Sequence, residues 1–116
     1  MLRRTFVANL AVALAAASVL PLASAGRVRA HGNPKTHIVH ITGFAFAPDT
    51  LKVHAGDTLR WINDDIVPHT ATAADESWDT GELKPGQTGD IKVTADMHST
   101  YFCRFHPMMK AGLRVV

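Results

Sequence analysis

One cysteine, Cys103, is all the thiol this chain carries. No disulfide can form within it, so a disulfide-stapled scaffold is excluded. Acidic residues are missing from the whole front of the chain: all ten lie from Asp49 onward. No charge of either sign falls between Thr5 and Gly26. No long stretch has the apolar period of an amphipathic helix. No internal repeat or low-complexity segment follows residue 30. At 116 residues the chain has room for one domain, which rules out a large multi-domain enzyme.

The uneven charge changes how the net value of +2 should be read. Four of the twelve basic residues, Arg3, Arg4, Arg27 and Arg29, precede residue 31. Without residues 1–30, eight basic residues face ten acidic ones and the net charge is −2; a cut after Ala25 leaves ten against ten. The positive sign is therefore not a nucleic-acid footprint, and no nucleic-acid partner is expected. Arg3 and Arg4 instead open an export signal, followed by an uncharged Ala/Leu/Val-rich stretch and the small-residue cleavage pattern Ala23-Ser24-Ala25. Arg3-Arg4-Thr5-Phe6-Val7 also resembles a twin-arginine signal. Pro21 and the small residues after it disfavour a permanent span, which needs about 20 apolar residues. The reading is a cleavable signal peptide over residues 1–25, with a second candidate cut after Ala30, then a flexible lead-in over 26–35 and one domain over 36–116. It predicts export to the periplasm, with no stable membrane insertion after cleavage. In that oxidising space an unpaired thiol is a liability unless it is buried or ligated, so Cys103 is expected to have a dedicated role.

From residue 36 onward, apolar residues recur with period two between turn residues. Thr36 to Ile41 puts His37, Val39 and Ile41 on one face, with Ile38 and His40 on the other. Gly43 and Pro48 flank Phe44 and Phe46. Leu51-Lys52-Val53 alternates, and His54-Ala55-Gly56-Asp57 turns the chain. Thr58 to Asn63 pairs Leu59 with Trp61 on one face and Arg60 with Ile62 on the other. After a turn at Lys84-Pro85-Gly86-Gln87 come Ile91 and Val93, a strand over Ser99 to Cys103, and a last one through Leu113 and Val115. Strands about every ten residues predict an all-β sandwich or barrel rather than a parallel α/β sheet.

The candidate chemistry lies in Cys103-Arg104-Phe105-His106-Pro107-Met108-Met109. A thiolate, an imidazole and a thioether stand three residues apart, at 103, 106 and 109, and a tight loop between strands can point all three at one place. His69 follows Pro68, past the Trp61-Ile62-Asn63 strand, and can supply a second imidazole. Two imidazoles, a thiolate and a weak thioether suit copper in both oxidation states: sulfur favours Cu(I), imidazole accepts Cu(II). Met108 competes with Met109, but Met109 keeps the three-residue step and leads directly into the last strand. His37, His40, His54 and His98 read as surface residues. His31, if cleavage makes it N-terminal, can chelate Cu(II) through its α-amine and ring.

These residues resemble the cupredoxins, the type 1 blue copper proteins. The likeness runs from Phe44 to the chain end: Phe46-x-Pro48, Leu51-x-Val53-x-x-Gly56-Asp57-Thr58-Leu59-x-Trp61-x-Asn63, His69, Tyr101-x-Cys103 and His106-Pro107-x-Met109. The short Cys-x-x-His-x-x-Met loop is similar to that of the amicyanins, as is the step from Asn63 to His69 with Pro68 between. The resemblance implies a Greek-key β-sandwich with one copper ion held by His69, Cys103, His106 and Met109. It implies a monomeric single-electron carrier, not an enzyme, with transient redox partners such as a c-type cytochrome, a dehydrogenase or an oxidase. His106 would be the electron exit, with Pro107 and Met108 as an apolar docking rim, and Arg104 and Lys110 could steer an acidic partner. Two positions depart from the pattern. Arg104 stands where amicyanins commonly have a small polar residue bonded to the Asn equivalent to Asn63, so that tie is broken or replaced. Ala111 stands where a Gly often follows the axial Met. The alternative function is a copper-storage or copper-tolerance module without redox turnover. A Cys–His hydrolase is disfavoured, because nothing supplies a third, orienting group.

Overall fold

The computed structural model describes residues 32–116. The expected signal peptide, both candidate cleavage sites and His31 lie outside them. Eight strands follow one another, with no helix among the described residues long and apolar enough to cross a membrane. They are β1 (Thr36–Thr42), β2 (Ala45–Ala47), β3 (Thr50–Val53), β4 (Thr58–Asn63), β5 (Thr72–Ala73), β6 (Thr88–Lys92), β7 (Thr100–Phe102) and β8 (Lys110–Val115). One sheet has the order β2-β1-β4-β6 and the other β3-β8-β7-β5. This is the all-β Greek-key sandwich expected of the sequence, and Pro34–Val116 form one compact unit.

Period-two alternation drives the layering. Val39 and Ile41 on β1 and Leu59 and Trp61 on β4 are fully buried, while Ile38 and His40 face outward. Each sheet is mixed: β1 runs parallel to β4, with Val39 opposite Trp61, and β3 runs parallel to β8, with Leu51 opposite Leu113. Trp61 is the hub between the layers. Its ring stacks on Trp78 at 5.7 Å and meets Tyr101 edge-on at 5.4 Å, and Phe46 closes on Tyr101 at 4.8 Å. Such offset and edge contacts are the favoured geometries of aromatic packing.

The end of the sandwich remote from Cys103 in the chain is fastened by a buried charge. Asp57 is 1% exposed. Its carboxylate accepts the N–H of Lys35 at 3.0 Å and of His54 at 3.0 Å, and pairs with Nε2 of His37 at 2.8 Å. Lys35, the last residue of the expected lead-in, is thus already tied down. His37 is no free surface residue either: its ring is drawn in against Asp57 because a buried carboxylate must be hydrogen-bonded. His40 and His98 remain near the surface, each beside an aspartate. The turn between β3 and β4 closes through the Asp57 N–H to the His54 carbonyl, and Gly56 takes the left-handed conformation (φ 98°) that a side chain would resist.

Candidate metal centre

The loop between β7 and β8 explains the three-residue step. The His106 N–H donates to the Cys103 carbonyl at 3.2 Å, and the Met109 N–H to the His106 carbonyl at 2.8 Å. Each candidate ligand therefore sits one turn after the last. The Cys103 N–H bonds the Met109 carbonyl at 3.0 Å and closes the loop. Cys103 falls just beyond β7 rather than inside the expected strand, because its carbonyl accepts the His106 N–H of the turn and the Met109 N–H goes to His106 instead of back across the hairpin. His69 comes from the crossover between β4 and β5, held by paired backbone bonds with Leu83.

Cys103, His69 and His106 converge. Cys103 Sγ lies 3.5 Å from His69 Nδ1 and 3.8 Å from His106 Nδ1, and the donor atoms of all three lie within 4.8 Å of one another. Cys103 and His69 are fully buried, and His106 is partly exposed. Such spacing accommodates one ion with bonds of about 2.0–2.3 Å, the lengths first-row metals take to imidazole and thiolate. A buried, unpaired thiol between two imidazole nitrogens is a donor set for a borderline-soft metal, and it fits copper. Met109 is buried in the same core cluster as Cys103, whereas Met108 is 92% exposed.

Around these donors lies a network that the sequence did not reveal. The Thr70 N–H points at Cys103 Sγ at 3.5 Å. Thr70 Oγ1 accepts the Arg104 N–H at 2.8 Å and donates to Thr72 Oγ1 at 2.9 Å, which in turn donates to Asp79 at 2.9 Å. The Arg104 guanidinium closes the ring on Asp79. Burial pushes the Asp79 carboxyl up, but Arg104, the Gly81 N–H and the Thr72 hydroxyl outweigh it and hold the carboxyl below its ordinary range. The tie that Arg104 was expected to break or replace is thus replaced. Asn63 is satisfied elsewhere: its amide donates to the Val67 and Leu83 carbonyls, and its oxygen accepts the Asp65 N–H. Thr70→Val, which keeps the shape and removes the hydroxyl, strands the Arg104 N–H. It is expected to cost about 1–3 kcal/mol in denaturant melts.

On the other side of the site, Asp65 Oδ2 meets His69 Nε2 at 2.8 Å, and Phe44 packs edge-on against both rings, 5.4 Å from His69 and 4.7 Å from His106. Neither residue was singled out as part of the site by sequence. The only available signal was the place of Asp65 four residues before His69.

Comparison with known proteins gives a consistent picture. Residues 35–116 match the family described as copper binding proteins of the plastocyanin/azurin family. Amicyanin-alpha of Methylorubrum extorquens is 27% identical over 112 residues, covering 90% of this chain and 94% of that protein. The crystal structure of amicyanin from Paracoccus versutus superposes with a TM-score of 0.60 at 25% identity, over 68% of this chain and 79% of that one. A copper-containing nitrite reductase from Thermus scotoductus is also similar, with a TM-score of 0.62 and 27% identity, over 90% of this chain but only 25% of that enzyme.

Proposed function

Because the chain belongs to the plastocyanin/azurin family of copper-binding proteins, we propose that it carries single electrons between partner proteins in the periplasm. Copper is its cofactor. The observation that supports the reading most directly is the convergence of His69, Cys103 and His106 on one buried point. In this proposal His69 Nδ1, Cys103 Sγ and His106 Nδ1 hold the ion and the Met109 thioether is the fourth, weak ligand. Bound there, copper supplies one-electron chemistry by passing between its +1 and +2 states.

The chain's own contribution is preorganisation. Cys103 is locked by loop closure and by the Thr70 N–H; His69 is locked by Leu83 and Asp65. Donors fixed in this way move little between oxidation states, which keeps reorganisation small. Of the three, only His106 reaches the surface, so its ring is the route by which an electron enters and leaves. Exposed Phe105 and Met108 flank it in sequence, and half-exposed Phe44 touches it. An apolar rim of this size suits brief contacts with a c-type cytochrome, a dehydrogenase or an oxidase, since transient redox interfaces are small. The likeness to nitrite reductase covers a quarter of that enzyme, which supports a carrier rather than an enzyme here.

Titration of the exported protein with Cu(II), followed by visible spectroscopy and by stopped-flow mixing with an oxidised c-type cytochrome, tests the reading. One equivalent is expected to give an intense thiolate-to-copper band that bleaches on reduction and returns as the cytochrome is reduced. A colourless Cu(II) protein with a freely titratable Cys103 would overturn it in favour of storage. N-terminal sequencing of the same sample is expected to begin at Gly26 or His31.

A further inference from the structure

The Asp65 carboxylate has three partners. Oδ2 meets His69 Nε2 at 2.8 Å and accepts the Phe44 N–H at 3.0 Å, while Oδ1 accepts the Gly43 N–H at 2.9 Å. Its own N–H is held by Asn63 Oδ1, so the carboxylate is aimed by the end of β4. The two N–H groups come from the two-residue turn joining β1 to β2, across which Thr42 pairs with Ala45. Gly43 has φ 60° and Phe44 φ 59°. A left-handed pair is what a tight hairpin of right-twisted strands requires, but position two ordinarily falls to Gly or Asn. A bulky residue there is uncommon and persists only where its surroundings hold it. Here the turn is held by the carboxylate, and the ring it displays rests on both imidazoles.

Resting on the ligand set proposed above, we propose that Asp65 is a positioning residue for the copper centre: it fixes the Nε2–H tautomer of His69, leaving the Nδ1 lone pair facing Cys103, and through the Gly43–Phe44 turn it keeps the Phe44 ring against His69 and His106. An ionised carboxylate accepts only, so it suits three donors at once. A partner on the distal ring nitrogen of a ligand histidine sets which nitrogen is free for metal. One side chain thus aligns one ligand by hydrogen bonding and covers the other by an aromatic contact.

Asp65→Asn replaces one acceptor oxygen with an NH2 group that cannot accept from all three donors. In the metal-free exported protein, 15N NMR of the His69 ring is expected to show Nε2–H in the wild type and a shift toward Nδ1–H in the variant. The Cu(I) affinity, read by chelator competition, is expected to fall about 10–100-fold, the range for loss of a partner behind a metal ligand. Asp65→Glu, which keeps the acceptor, should recover the tautomer. A merely structural Asp65 would not move the tautomer. Should Asp65→Asn fail to fold, Phe44→Asn tests the second arm, because Asn tolerates the turn. Added imidazole is expected to perturb the copper spectrum of that variant and to leave the wild type unchanged. An Nε2–H tautomer retained in Asp65→Asn with Cu(I) affinity within about twofold of wild type overturns the proposal, as does equal resistance to imidazole in Phe44→Asn. A wild type without the thiolate band, but with the tautomer shift intact, would overturn the copper-carrier reading and still support the role of Asp65.

Discussion

Cys103→Ser is expected to abolish the intense visible band of the copper-loaded protein outright and to weaken Cu(I) binding by more than about a hundredfold. The magnitude follows from the chemistry of the donor set. Changes behind a ligand already cost about 10–100-fold in affinity, and removing the softest of the proposed donors must exceed that. A serine hydroxyl is a poor donor to Cu(I), and the band requires charge transfer from sulfur. The substitution should leave the fold intact. Cys103 is buried beside Met109 and Tyr101 in the core, serine is only slightly smaller, and the loop is closed by backbone bonds that the change does not touch. A circular-dichroism melt of the metal-free variant close to that of the metal-free wild type, together with a colourless Cu(II) titration, is the expected result. A surviving blue colour would remove Cys103 from the ligand set.

Asp57→Ala should produce the largest loss of stability at a residue remote from the site. It leaves the N–H groups of Lys35 and His54 and the ring of His37 facing an empty acceptor position. Loss of a buried charged acceptor with several partners costs about 3 kcal/mol, or roughly 10–20 °C in Tm for a domain of this size. The effect carries a pH signature. Burial alone would push the Asp57 carboxyl up, but the Lys35 N–H, the His37 ring and the His54 N–H outweigh it and hold it well below its usual 3.8. The folded state therefore keeps Asp57 ionised at pH values where the unfolded chain would protonate it. Its contribution is complete above about pH 4 and erodes as pH falls from there through the depressed native value. Thermal melts of wild type and variant should converge as the buffer is acidified below about pH 4. A gap that widens below about pH 4 would contradict this account.

The layering was legible because it is local. Alternation along Thr36–Ile41 and Thr58–Asn63 fixes which side chains face the core, and the structure buries Val39, Ile41, Leu59 and Trp61 accordingly. The Cys103–His106–Met109 step was legible because two successive turns generate it. What escaped was everything set by partners far apart in the chain. The two-residue strand β5 exists only as an edge on β7, so it has no period to detect. Parallel pairing of β1 with β4 and of β3 with β8 depends on crossovers, not on either strand's pattern. The Thr70–Thr72–Asp79–Arg104 ring joins residues up to 34 positions apart. Phe44 looked like one more apolar residue between Gly43 and Pro48, and only the left-handed turn turns it outward onto the imidazoles. His37 looked solvated because its partner, Asp57, lies 20 residues away.

His69 hangs from the crossover that leaves one sheet for the other, while Cys103 and His106 hang from a hairpin wholly within the second sheet. Joining those three donors therefore rivets the two layers at one end of the sandwich, as the Asp57 clasp ties Lys35 and β1 to the β3–β4 turn. A sandwich fixed by such a rivet resists shear between its layers, and its resistance to pulling or to proteolysis should rise when the site is filled, with the strongest gain along the crossover that carries His69.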